Sequence, residues 1–332
     1  MIKGVDKIFI ELRRRPVTHI LGYWNKSLPG TTLGTLMIFL AESQLIKQLC
    51  NADLLDVAVD AESHGITNVL DGEYRILNDI ECVDAALSFL LGMECVDKIY
   101  ACGGFKGFEA LSLQLASTHA VWPLLDRVQL QAPYDTTKYI QELFKEIGHI
   151  EPLKFTSYYR EWADQTIQKH FDGLPVVGLH LKNVPYQGAP PISLADASVW
   201  HRFLSLANKT YKVGFLLLGD DSVNEAILNL PNVCLAREVG AGSFGKHMAL
   251  LGQCDGFMGM MSALANMALF SLMPYTIFKN PDHHREEMLL EIGTTDHYSF
   301  ATEEQKVLRV NETLELLMSE LERMSFIKAV RC

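Results

Sequence analysis

Paired cysteines, excess positive charge and the short motifs of the commonest enzyme classes are all missing from this sequence. Its seven cysteines (Cys50, Cys82, Cys95, Cys102, Cys234, Cys254, Cys332) stand mostly in apolar stretches and show no CxxC spacing. An odd number of buried-looking thiols argues against a disulfide framework and suits a reducing, cytoplasmic setting. Basic residues are in deficit, 29 Lys and Arg against 40 Asp and Glu, for a net charge of −11. Such a balance argues against nucleic-acid phosphates as the main partner. The one basic cluster, Arg13-Arg14-Arg15, reads as a solvated or juxtamembrane patch, the latter implying peripheral membrane association. The stretch MIKGVDKIFIELRRRP is charged throughout and lacks the apolar core of a signal peptide. There is no GxSxG and no HExxH, and the one GxGxxG stands without the rest of its motif. The glycine-rich GAGSFG at 240–245 lacks the acidic residue that a dinucleotide loop requires after its next strand.

What is present is a globular composition, 48% hydrophobic and 21% charged over 332 residues, enough for two α/β domains of roughly 150 residues each. In the first half, strand-like runs at His19–Trp24, Leu55–Val59 and Lys98–Cys102 alternate with helical patterns, including one over Phe108–Leu125 and one over Tyr134–Ile147. Residues 150–173 read as a polar helical connection. The second half restarts with the apolar run Leu174–Leu181, of the kind buried on both faces of a parallel sheet. It continues with a helix at Asp196–Tyr211, strand Val213–Leu218, helix Ser222–Leu230, strand Asn232–Leu235 and helix Phe244–Leu251. The final segment, Thr302–Met324, has the pattern of one charged amphipathic helix. These patterns give an N-terminal α/β domain over 1–170, a C-terminal one over 171–300, and a C-terminal helix in 301–332.

The uncharged run GFMGMMSALANMALFSLMPYTIF (256–278) is long enough to suggest a membrane span. Pro274 would break a single helix, and the run is poor in β-branched residues until its end. It divides better into strand Asp255–Met260, a turn at Met261–Ser262, helix Ala263–Met273 and strand Pro274–Phe278.

That division puts Ser262 where a strand hands over to a helix, either as a plain N-cap or as a cap that also donates to an anion. The other strand tips of this half are also polar. The first ends in His180-Leu181-Lys182-Asn183, the second in Gly219-Asp220-Asp221, and the third in Arg237-Glu238. Open α/β sheets take ligands at the C-terminal ends of their strands, so the four tips together point to a ligand crevice. In the first half, Gly30-Thr31-Thr32-Leu33-Gly34 reads as a plain strand-to-helix turn or a small-ligand loop, and not as a Walker motif.

The order GLHLKN, FLLLGDD, LPNVCLAREVG, HMALLGQCDGFMGMMSALANMALF resembles the nucleotide-sugar-binding half of GT-B-type glycosyltransferases, in particular the heptosyltransferase-like and fucosyltransferase-like groups. The resemblance covers residues 174–280. His180 and Lys182 match a His-x-Arg type segment, with lysine in place of arginine. Asp255, Gly259 and Ser262 match a second segment, whose usual Ser-Gly-Pro turn is here Ser262-Ala263-Leu264.

The resemblance implies two Rossmann-like domains with parallel sheets, the first serving the acceptor and the last helix packing back toward it. It implies transfer of a hexosyl or related glycosyl group from a nucleotide-sugar to a glycan or small-molecule acceptor, as in polysaccharide assembly. Neither a cofactor nor a bound metal is implied. Same-fold alternatives are a nucleotide-sugar epimerase and a non-catalytic binding or scaffold subunit. Donor contacts fall on Gly30, Thr31, Thr32, His180, Lys182, Asn183, Gly219, Asp220, Glu238, Ser262 and Ala263, with Glu238 suited to ribose hydroxyls. The catalytic base stays open among Asp60, Glu62, His64 and Asp71. Asp282-His283-His284 and His297 carry ligand-type side chains, but their spacing is not that of a zinc site, and they read as a solvent-facing loop.

Overall fold

A computed structural model describes residues 17–25, 32–60, 79–124, 137–182, 194–219 and 225–329. These form two compact units, 17–154 and 155–329, each built on a wholly parallel sheet.

The first unit has four strands, β1 (His19–Trp24), β2 (Leu54–Asp60), β3 (Ile99–Cys102) and β4 (His119–Trp122), in the order β3-β2-β1-β4. Helix α1 (Leu33–Cys50) begins at a reciprocal cap. The Thr32 side chain accepts from the Thr35 N–H, and the Thr35 hydroxyl oxygen accepts from the Thr32 N–H. It ends on Asn51 in the left-handed conformation, φ 53°. The helix lies close on β1, where a Cβ on Gly22 would fall 2.6 Å from the Phe39 ring. Helices α2 (Asp79–Leu90), α3 (Gly104–Leu115) and α4 (Lys138–Ile147) are the other helices among this unit's described residues. Strand β4 lies inside the stretch expected to be one helix, Phe108–Leu125. The helix stops at Leu115, and His119–Trp122 pairs with β1 because its side chains are wanted in the sheet: His119, Ala120 and Trp122 are buried.

The second unit contains α5 (Ser157–Phe171), β5 (Val176–His180), α6 (Ala197–Thr210), β6 (Gly214–Leu217), α7 (Glu225–Leu228), β7 (Val233–Leu235) and α8 (Phe244–Leu251). It continues with β8 (Gly256–Met260), α9 (Ala263–Leu269), β9 (Tyr275–Phe278), α10 (Arg285–Ile292), β10 (Gln305–Leu308) and α11 (Leu314–Arg323). Its sheet order is β10-β9-β8-β5-β6-β7. One face is covered by α6 and α11, whose Trp200, Phe203, Leu204, Leu317 and Leu321 pack with Val177, Leu179, Phe215, Met258 and Phe278. Helix α5 lies on α8, where Lys246 sits 4.8 Å above the Trp162 ring.

The apolar run 256–278 is thus strand, helix and strand, and every residue of β8 and β9 is buried. Among the described residues no helix is long and apolar enough to cross a membrane. Two expectations need correction here. Helix α9 ends at Leu269 and does not reach Met273, because Phe270 takes a non-helical conformation as its C-cap. Thr302–Met324 is not one helix. Gln305–Leu308 alternates buried and half-buried side chains and pairs with β9, so a half-polar edge strand precedes α11.

Candidate functional site

In the second sheet β5 is flanked by β6 on one side and β8 on the other, so the strand order reverses at β5. The C-terminal edge at such a reversal is where open α/β sheets leave a crevice. Register places the tips. His180 pairs with Gly259, and Met260 pairs with Phe278. Lys182 follows β5, Ser262 follows β8 and Lys279 follows β9, so three neighbouring strands deliver these residues to one edge.

Lys182 is held in the left-handed region at φ 45°, a conformation that costs a non-glycine residue roughly 1–2 kcal/mol. Ser262 caps α9, its Oγ accepting from the Ala265 N–H at 3.2 Å. That bond leaves the hydroxyl hydrogen to donate elsewhere. Ala263 occupies the first helical position, where the helix supplies its N–H with no partner. Lys279 is 9% exposed. Burial pushes its ammonium below the ordinary lysine range and Lys182 adds to the drop, while Glu291 and Glu287 oppose it. His283 is lowered to about 4 by burial first, then by His284, Lys279 and Lys182. His284 is lowered by burial and by the same two lysines. These mutual effects show a cluster of cationic groups beside the tips of β5 and β9, with Glu287 and Glu291 of α10 as its nearby counter-charges.

His180 reaches the same edge but is buried, 5% exposed, and faces Gly219. A Cβ on Gly219 would fall 2.9 Å from His180 Cδ2, and Gly219 has φ 90°, so space and backbone both require glycine. The Gly219 N–H donates to His247 Nδ1 at 3.2 Å. His247, on α8 and buried, holds this turn in place. Glu238 is exposed past β7, two strands from β5. Asn183 and Asp220 lie outside the described residues.

Asp255 sits at the far end of β8 from Ser262. Its Oδ2 accepts from the Val176 N–H, and its own N–H donates to the Val176 carbonyl, both at 2.8 Å. It fastens the start of β5 and does not take part in the crevice.

In the first unit, Thr32 is the cap of α1, while Gly30 and Thr31 lie outside the described residues. Of the base candidates, Glu62, His64 and Asp71 lie outside them too. Asp60 ends β2, buried, accepting from the Tyr23 hydroxyl at 3.2 Å and the Gly104 N–H at 3.1 Å. Burial first, and then Asp60, raise the Tyr23 phenol well above its ordinary range. Asn25 donates to the Tyr23 hydroxyl at 2.9 Å. Asp60 therefore ties β2 to β1 and to the start of α3.

Sequence reasoning passed over Lys279 and His247. Lys279 lies in a polar loop that carries no motif, and His247 is a lone histidine inside an apolar helix. His283 and His284 face each other at 4.3 Å between ring centroids, while His297 bonds Asp296. These histidines are not part of any three-residue ligand group among the described residues.

The fold is similar to that of solved glycosyltransferases. The glycosyl transferase family 9 protein of Veillonella parvula matches 94% of this chain with 97% of its own, at a TM-score of 0.56 and 10% identity. The E. coli ADP-heptose lps heptosyltransferase II matches 93% of this chain with 99% of its own, at 0.51 and 11% identity. E. coli heptosyltransferase WaaC, solved with ADP-2-deoxy-2-fluoro heptose, matches 92% of this chain with 99% of its own, at 0.50 and 10% identity. No protein-family model matches the sequence, and no curated relative matches it. The protein is an α/β chain of the GT-B type, with the two parallel sheets of these neighbours.

Proposed function

We propose that this chain is a glycosyltransferase that takes its sugar from a nucleotide-activated donor. The observation that carries the reading is the delivery of Lys182, Ser262 and Lys279 by three adjacent strands to the edge where the strand order reverses. A departing nucleoside diphosphate needs positive charge and aimed N–H or O–H donors. Lys182 and Lys279 supply charge, while the Ser262 hydroxyl and the Ala263 N–H supply donors. His180, Gly219 and His247 shape the adjoining turn, and exposed Glu238 is the candidate acceptor for ribose hydroxyls. The solved WaaC carries an ADP-heptose analogue, which makes a nucleotide-sugar the first ligand class to try.

In this reading the transfer needs no bound metal or cofactor, and the acceptor, a glycan or small molecule, is served by the first unit. The setting is cytoplasmic. The test is a thermal-shift panel of UDP-, GDP-, ADP- and CMP-sugars on the full chain. One donor should raise the melting temperature, with at least a tenfold loss of affinity in Lys182→Ala and in Ser262→Ala. No response to any donor would overturn the reading, and unchanged affinity in both variants would overturn the residue assignment. Release of free nucleoside diphosphate on adding acceptor separates transfer from epimerisation and from simple binding.

A further inference from the structure

Thr-His occurs on two neighbouring strands of the first unit, as Thr18-His19 opening β1 and Thr118-His119 opening β4, and the two histidines are paired in register. Their rings stack at 4.5 Å with 23° between planes. On the other side of β1, Asp56 of β2 pairs with Leu21. Leu21 shares the sheet face of His19 by alternation, so all three polar side chains stand on one face at the N-terminal edge. A ring nitrogen of each histidine and a carboxylate oxygen of Asp56 lie within 4.8 Å of one another. This is the opposite edge of a strand layer from the one where such sheets take substrates.

Two further observations give this cluster a purpose. Asp56 is fully buried, and its Oδ1 has no hydrogen-bond partner. Its Oδ2 meets His119 Nε2 at 3.1 Å and the Tyr100 hydroxyl at 3.4 Å. A buried carboxylate left with an unpartnered oxygen calls for a cation. Second, each imidazole is anchored through Nδ1 by the threonine before it, at 2.7 Å for Thr18 to His19 and 2.8 Å for Thr118 to His119. Metal-binding histidines are oriented in this way, with one ring nitrogen bonded to a neighbour and the other left for the ion.

We infer that His19, Asp56 and His119 form a binding site for a divalent transition-metal ion of the zinc class. Two imidazoles and a carboxylate select against magnesium and calcium, which take oxygen ligands. Ligands about 2.0–2.1 Å from zinc and roughly 90–110° apart lie about 2.9–3.4 Å from each other. The 3.1 Å between His119 Nε2 and Asp56 Oδ2 falls in that range. His19 is half-buried, so an ion has a route in. Coordination would tie β4, β1 and β2 together, and it is separate from the donor site proposed in the other unit.

The test uses the full chain, stripped with EDTA and titrated with Co(II), then with Zn(II). One equivalent of Co(II) should give visible d–d absorption that Zn(II) abolishes, and Zn(II) should raise the melting temperature. His19→Gln at the half-buried ligand should lose both responses while keeping the wild-type circular dichroism. Thr18→Val and Thr118→Val should weaken binding by about 10–100-fold. Three results would each overturn the assignment: no uptake by the wild-type chain, uptake unchanged in His19→Gln, or uptake lost in His283→Gln. Wild-type-like affinity in both threonine variants would also count against it.

Discussion

Gly259 and His180 are register partners across β8 and β5, and their contact leaves no room for a side chain: a Cβ on Gly259 would lie 2.5 Å from the His180 carbonyl oxygen. The obstacle is backbone, which has no rotamer to change. Gly259→Ala should therefore destabilise the protein by about 1–3 kcal/mol, the range for overpacking a tight interior. Gly242→Ala, where nothing lies within 4 Å, should stay within about 0.5 kcal/mol of wild type. Urea unfolding of the two variants checks the contrast.

Lys182 separates stability from function. Its φ of 45° suits glycine better than lysine. Lys182→Gly should leave the melting temperature unchanged or raised, while weakening the nucleotide-sugar response more than tenfold. Loss of both together would make Lys182 a structural residue.

Asp255 and Ser262 bracket the same strand and should behave differently. Asp255→Ala removes the acceptor of the Val176 N–H and should cost about 1–3 kcal/mol of stability, with donor affinity kept. Ser262→Ala removes an N-cap, worth about 0.5–2 kcal/mol, and donor affinity as well. Chemical unfolding and binding measured on both variants make the comparison.

His283 gives a pH signature. Its folded pKa, lowered to about 4 chiefly by burial, is below the ordinary histidine value of 6.5. As pH falls through 6.5 the unfolded chain takes up the proton first, so this group lowers stability between pH 6.5 and about 4, and adds no further slope below. His283→Gln should flatten that part of the stability profile. In an NMR titration, the His283 ring should titrate near pH 4 in the free protein and at higher pH once a nucleoside diphosphate is bound. A bound dianion favours the charged ring, so an unmoved midpoint would place the diphosphate elsewhere.

Buried and half-buried thiols should be poorly reactive. Burial pushes Cys95 and Cys102 up to about 12 and Cys50 up to about 11. Cys254, fully enclosed and beside Asp255, is raised as well. At pH 8 the buried Cys102 and Cys254 should react with a disulfide reagent only after denaturant is added, and the half-buried Cys50 and Cys95 should react slowly. Prompt labelling of the native chain would contradict their environment.

Much of the architecture was legible from local pattern. Leu174–Leu181 is apolar but for His180, and the run 256–278 carries no charge, because their strands are buried on both faces, and such runs announce themselves. The two strands that escaped, β4 and β10, are four residues each and lie at sheet edges. Half-buried edges carry mixed polarity, and Gln305–Leu308 could join the helical pattern that follows it. Ser262 was readable because a cap is a local event: its acceptor role needs only Ala265, three residues away.

The amino-acid sequence by itself determined the α/β class, the parallel strands, the turn at Ser262 and the polar tips at Lys182 and Gly219, since each follows from side chains a few positions apart. Tertiary structure alone decided which tips become neighbours. The order β10-β9-β8-β5-β6-β7 sets Lys279 beside Ser262 and Lys182 across nearly 100 positions. The first sheet likewise brings His19, Asp56 and His119 to one edge. Strand order is settled by the packing of whole faces against helices, a global free-energy balance that no short stretch of sequence encodes.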